Sequence, residues 1–364
     1  LNAYIHIPFC ASFCTYCDFT SFTGCENRIP EYVSALCAEI ESSDLRGPLQ
    51  TIYFGGGTPS LLNPSQFASV LESLRCKAGF TPDVEISTES NPDSVNLEKL
   101  EGYHRVGINR LSMGAQAAQD ELLLTLGRRH DVEKVLKAVR AARSAGFENI
   151  NLDIMLGLPG GSMGKLRETL EKYLPLNPEH VSLYALQVEA GTPLAAEVEK
   201  GLAIPDEDEQ ADQYAWAQGF LSTGGWHQYE VSNFSRRGFE CRHNLSVWRG
   251  EDYQGFGVSA VGTKGLQRRT NTGSLDDYFA QARAGCFRPG IENLSESTRQ
   301  YEKVILGLRT REGVSRGLIL SAGGDLQALE SLIREGWLLE KDGRVASAMK
   351  TYFVLHGVLR RLLN

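Results

Sequence analysis

Three cysteines, Cys10, Cys14 and Cys17, crowd one short loop directly after an apolar run, Ala3–Ile7, while the other five of the chain's eight cysteines are scattered. A C-x3-C-x2-C loop needs a chemical reason, because three thiols held so close are otherwise a liability. Structural zinc takes four ligands, commonly as paired C-x-x-C units, and no second pair is present. Three thiolates suit an iron–sulfur cluster, in which four irons and three protein ligands leave one iron open for a substrate or cofactor. Asp18 and Phe19 follow the third cysteine, and Cys25 is badly spaced for a fourth ligand. Phe9, Phe13, Tyr16 and Phe19 in the same loop would dry a cluster and tune its potential.

The rest of the composition is that of an ordinary soluble chain. The 364 residues suggest about two domains, one of them large, with ample core and no need of staples. Lys plus Arg is 37 and Asp plus Glu 45, a net charge of −8, which argues against a general nucleic-acid binder. No long apolar run predicts a membrane span, and no basic leader with an apolar segment opens the sequence. The expected location is the cytoplasm, where Cys25, Cys37, Cys76 and Cys286 read as buried packing thiols.

Residues 1–190 alternate short apolar strands with helix-length amphipathic stretches. The expected strands are Ala3–Ile7, Thr51–Phe54, Val84–Thr88, Ile108–Ser112, Asn149–Ile154 and Val181–Leu186. Six β-α units in this length imply an α/β fold with a parallel sheet, closer to a partial (β/α)6 TIM-type barrel than to a closed barrel of eight. Residues 191–294 form an α/β extension that opens with an acidic helix start, Asp206–Glu209, and includes an expected strand at His227–Ser232. Residues 295–364 predict helices around a hairpin turning at Asp342–Gly343, a small winged-helix-like module.

Several strand ends carry polar residues. Gly55-Gly56-Gly57-Thr58-Pro59 closes the second strand; such a turn is either an ordinary βα connection or a loop where backbone can approach a ligand. Glu89, Gln116 and Asp153 end later strands, where barrel enzymes place functional groups.

The cysteine spacing, with Tyr16 before the third cysteine, resembles the radical S-adenosylmethionine (SAM) superfamily. The resemblance implies a 4Fe–4S cluster on Cys10, Cys14 and Cys17 whose open iron is chelated by SAM. It covers most of the chain. Tyr4–Cys10, Tyr16–Phe19, Gly55–Ser60, Leu126–His130, Asp153–Pro159 and Cys241–Asn244 are similar to the coproporphyrinogen-oxidase-like branch, and within it to the HemW-type haem chaperones. By motif position it implies SAM contacts at Tyr4, Gly56, Gly57, Thr58, Glu89, Gln116, Arg128 and Asp153, with Tyr16 against the adenine. Coproporphyrinogen dehydrogenases carry a further cysteine where this chain has Phe19, which points to the chaperone branch.

Haem is expected at residues 236–249. His243 or Cys241 can ligate iron, and Asn244 and Trp248 belong to the family's H-N-x-x-Y-W pattern, in which Val247 replaces the tyrosine. Arg236, Arg237, Arg242 and Arg249 can pair with propionates. The other reading is that His243 and Asn244 merely organise a loop. Two functions follow: a chaperone that binds the cluster, SAM and haem and hands haem to an acceptor protein, or a radical SAM enzyme that decarboxylates or methylates a tetrapyrrole. Expected partners are the acceptor, a reductant such as flavodoxin or ferredoxin, and a second copy of the chain.

Overall fold

A computed structural model describes residues 1–363. Six parallel strands form its centre: β1 (Asn2–Ile7), β2 (Leu49–Gly56), β3 (Phe80–Ser90), β4 (Arg110–Gln116), β5 (Ile150–Leu156) and β6 (His180–Ala185), paired in chain order. Helices α1 (Ile29–Ser42), α2 (Pro64–Ala78), α3 (Leu97–Arg105), α4 (Asp120–Thr125), α5 (Val132–Ser144) and α6 (Met163–Tyr173) connect them, with α4 and α5 both between β4 and β5. All six strands expected within residues 1–190 are present, shifted by a few residues at most.

Side chains along these strands alternate. Ile5, Ile52, Phe54, Ile86, Leu111, Leu152, Ile154 and Val181 face outward into one large apolar core with the helices. The alternate positions Tyr4, His6, Thr51, Tyr53, Glu85, Glu89, Arg110, Ser112, Asn151, Asp153 and His180 bond to one another or approach closely on the concave side. An ordinary barrel fills its interior with branched apolar residues. Here the lumen is polar, and that makes room for a site.

Residues 191–294 build no separate sheet. After α7 (Pro193–Glu199) and α8 (Glu207–Thr223), the hairpin β7 (His227–Gln228) and β8 (Asn233–Ser235) adds to β6. The expected single strand His227–Ser232 is thus interrupted, and Glu230 bridges Thr310 instead. Asp206 and Glu209 form the capping box that starts α8. Helix α9 (Arg242–Trp248) follows, in a stretch that reads as irregular in sequence. Strands β9 (Tyr253–Phe256), β10 (Val261–Lys264), β11 (Gln267–Thr270) and β12 (Gly290–Asn293), with α10 (Leu275–Arg283) before the last, extend the other edge, β9 lying parallel to β1.

The C-terminal residues run α11 (Glu296–Gly307), β13 (Val314–Ser315), α12 (Arg316–Ser321), α13 (Leu326–Arg334), β14 (Leu338–Lys341), β15 (Arg344–Ser347) and α14 (Leu355–Leu363), with their own three-stranded sheet and apolar core. The β14–β15 hairpin turns at Asp342 and Gly343, both with positive φ, as a two-residue turn of this twist requires. No described helix is long and apolar enough to cross a membrane.

Candidate functional site

All eight cysteines are free thiols. Cys10, Cys14 and Cys17 line one cavity of about 390 Å³ at the C-terminal ends of β2–β6. The loop that carries them is tied down at its start and between its second and third cysteines: Cys10 N–H donates to Phe22 O, and Thr15 N–H to Leu126 O. Among the described residues no three His, Cys, Asp or Glu side chains converge on a single-ion site. A cubane cluster has no such need, because each of its three thiolates binds a different iron and the sulfurs ring a volume. Burial raises the Cys10 and Cys17 thiols, so a bound metal would be needed to hold them as thiolates. A Cβ on Gly57 would stand 3.0 Å from Cys10 Sγ, so the backbone closes around the cysteines and leaves no side chain in the cradle. These features fit a cluster held by three thiolates. Cys76 and Cys286 are exposed and Cys25 and Cys37 half-buried, which corrects the expectation of four buried packing thiols.

Tyr16, Gly56, Gly57, Thr58, Glu89, Gln116, Arg128 and Asp153 line the same cavity. Glu89 accepts from Tyr53 Oη at 2.9 Å and from Gly56 N–H at 3.1 Å; burial, with Asp153 nearby, pushes its carboxyl up to about 7. Asp153 accepts from Asn151 Nδ2 at 2.8 Å and Ser112 Oγ at 3.3 Å, and burial raises it as well. Arg128 donates to Cys14 Sγ at 3.4 Å, Asn91 Oδ1 at 2.8 Å and Gly114 O at 3.0 Å, which seats its guanidinium beside the cysteine loop. Gln116 has φ +64° where the β4–β5 register shifts, so a bulge turns its side chain. Tyr4 is the exception among the expected SAM contacts: its hydroxyl meets His6 Nδ1 at 3.0 Å and its ring lines a different cavity.

That second cavity, about 450 Å³, is lined by His243, Asn244, Val247 and Trp248, with Tyr4, His6, Glu230 and Asn233. Tyr53, Glu89 and Tyr184 line both cavities, so the two share a wall. The His243 ring stacks 5.1 Å from Tyr53, and its Nδ1 meets Thr51 Oγ1 at 2.8 Å. Thr51 has one hydroxyl proton, which it donates to Asn2 Oδ1 at 2.9 Å. It must therefore accept from His243 Nδ1–H, which leaves the lone pair on Nε2. Burial, with Arg110 nearby, pushes His243 down to about 3, so the imidazole is neutral at ordinary pH. A neutral imidazole with Nδ1 tethered and Nε2 free is the form that ligates metal.

Two expectations fail here. Cys241 lines neither cavity; it is wholly buried beneath α9 against Glu85, and burial pushes its thiol up to about 12. The arginines of residues 236–249 also face away. Arg236 stacks on Trp226, Arg242 pairs with Asp83 and Arg249 with Glu312, and Arg237 does not line the cavity. Sequence reasoning missed Tyr53, Asn91, Ser112, Asn151, Tyr184 and Glu230, although most of them mark the polar positions of alternating strands. It also missed His180, whose Nδ1 meets Asn151 Oδ1 at 2.6 Å and Nε2 Tyr229 Oη at 2.7 Å.

Comparison with known proteins places this geometry. The Radical SAM superfamily model matches residues 4–173. The heme chaperone HemW of Bacillus subtilis is 37% identical over 86% of this chain and 85% of its own length. That of Mycobacterium tuberculosis is 36% identical over 100% of this chain and 95% of its own length. The coproporphyrinogen III oxidase HemN of Escherichia coli superposes with a TM-score of 0.83 over 99% of this chain and 89% of that one, at 23% identity, a likeness of fold. The chain belongs to the radical SAM superfamily and, within it, to the family of the HemW heme chaperones.

Proposed function

We propose that this protein binds a 4Fe–4S cluster and SAM in the first cavity and haem in the second, and passes the haem to an acceptor protein. The observation that carries this reading is the shared wall of Tyr53, Glu89 and Tyr184 between a cavity ringed by three cysteines and one facing a free imidazole nitrogen. Cys10, Cys14 and Cys17 would hold the cluster, which when bound with SAM supplies one-electron chemistry or, without turnover, a structural or regulatory state. Glu89 and Asp153 offer carboxylates to hydroxyl and amino groups, and Arg128 faces the cysteine loop as a fixed cation. His243 Nε2 offers the haem iron its ligand. The acceptor would take haem from the open cavity, and a flavodoxin or ferredoxin would feed the cluster. The C-terminal order of helix, strand, two helices and hairpin supports a winged-helix-like module for partner recognition.

The shared wall also favours a second reading, because a tetrapyrrole in one cavity would adjoin SAM in the other. That reading is a radical SAM enzyme that decarboxylates or methylates the tetrapyrrole. Anaerobic reconstitution with iron and sulfide, followed by incubation with SAM, reductant and either haem or coproporphyrinogen, separates the two. Chaperone function predicts about four irons per chain, haem release to an acceptor, and no consumption of SAM with coproporphyrinogen. Conversion of coproporphyrinogen coupled to SAM cleavage overturns the chaperone reading in favour of the enzyme. Zinc with no iron overturns both.

A further inference from the structure

The second cavity holds polar groups that this reading leaves unused. Glu230 lies between β7 and β8, with Oε1 accepting from Ser232 N–H at 3.3 Å. Its side chain is wholly buried, and Oε2 has no partner. The indole Nε1–H of Trp248 and Oδ1 of Asn233 are also buried and unpartnered. All three residues line the cavity that His243 faces. Buried polar atoms are nearly always satisfied, so orphans gathered on one cavity mark where a ligand supplies the missing partners.

Their chemistry says what kind of ligand. An indole N–H can only donate. Burial holds the Glu230 carboxyl up at about 7, so near neutrality much of it carries a proton and can donate too. The Asn233 amide can present either end. No lysine or arginine lines the cavity, so the arginines expected to meet propionates are not available there. The guanidinium of Arg309 lies behind the indole, 5.4 Å from its ring centroid. The vacant partner is therefore an acceptor, held by neutral donors with one cation behind them.

We propose that Glu230 and Trp248, flanked by Asn233, form the receptor for a carboxylate of the cavity's ligand. This rests on the haem reading, on which that carboxylate is a haem propionate. Glu230 Oε2–H and Trp248 Nε1–H each donate to a carboxylate oxygen, and the proton stays shared within the acid–carboxylate pair. The groups facing Glu230 are Arg309 and the hydroxyls of Tyr184, Tyr214, Tyr229 and Tyr352. Those tyrosines stay protonated at neutral pH, which leaves Arg309, and Glu89 on the same cavity, as the groups that carry or gain charge there. Ionised Glu230 repels a second carboxylate, so affinity for the ligand with free carboxylates falls as pH rises through neutrality.

The test titrates ferric haem and its dimethyl ester into the full chain and into three variants. Haem is expected to bind at least roughly tenfold tighter than the ester, whose propionates cannot accept as anions. Trp248→Phe keeps the aromatic surface but loses the donor, and Glu230→Ala loses the acid. Each should weaken haem roughly tenfold and leave the ester within about threefold of wild type. Glu230→Gln keeps a donor, so it should bind haem within about threefold of wild type below pH 7 and fall less steeply above it, with only the contribution of Glu89 left. Equal affinity of wild type for haem and ester, or equal losses for both in the variants, overturns the carboxylate receptor and leaves the haem reading standing. Binding of neither porphyrin overturns the haem reading and this inference with it.

Discussion

At Gly56 the absence of one carbon decides whether the site can form. Its φ is +113°, and a Cβ there would sit 2.5 Å from the His6 ring, which is fixed by Tyr4 Oη and Thr20 O. Gly56→Ala is expected to cost at least about 2 kcal/mol from backbone strain and ring displacement. It should also lower the iron retained after reconstitution, since the next residues, Gly57 and Thr58, donate their N–H groups to Ile7 O and Phe9 O at the start of the cysteine loop. Urea denaturation of the apo chain and an iron assay check this, and wild-type values for both would contradict it. At this scale much of the first cavity was legible in sequence, because the cysteine spacing is local and its ligands are neighbours in the chain. In the second cavity Trp248 was named from the sequence, but Glu230, Asn233 and the unpartnered state of the indole were not, because satisfaction is a property of the folded surroundings and leaves no mark on a stretch such as Tyr229–Phe234.

Among the elements, α9 carries the most consequence for the least sequence signal. It has seven residues, and Cys241 at its N-cap makes no side-chain capping bond. The cap comes instead from β3: Glu85 accepts from Arg242 N–H and His243 N–H, both at 3.0 Å. Tyr229 Oη accepts from Cys241 N–H at 3.2 Å. A helix capped by a residue so distant in the chain cannot be read from local capping rules. Glu85→Ala should cost about 2–4 kcal/mol, because it strips two N–H groups of their acceptor and removes one of the carboxylates near the buried Arg110. It should weaken haem binding through loss of His243 placement, while Cys10, Cys14 and Cys17 still take up iron. Chemical denaturation with iron and haem assays on one preparation tests this. Unchanged stability and haem affinity would show that α9 holds itself. The central strands, by contrast, were found because their outward positions are apolar. Their inward positions carry tyrosines, threonine, serine, asparagine and charged residues, which locally read no differently from ordinary polar strand positions.

The whole molecule joins these parts through a sheet that outgrows its barrel. Residues far along the chain supply β9–β12 at one edge and β7–β8 at the other, and the latter connects through Glu230 and Arg311 to the C-terminal residues. Apart from the strand expected at His227, the edge strands escaped sequence reading because each has four residues or fewer in Gly-rich surroundings. The consequence is a polar lumen with two cavities on a common wall, one at the cysteines and one at His243. The central claim is that the second cavity receives haem through the free nitrogen of a neutral, tethered imidazole. Titration of ferric haem into the full chain and into His243→Ala, followed in the Soret region, tests it most directly. The account predicts saturable binding of one haem by the wild type, with a spectrum of histidine ligation. It predicts loss of that spectrum and at least roughly tenfold weaker binding in the variant. Identical spectra and affinities for the two proteins would contradict it.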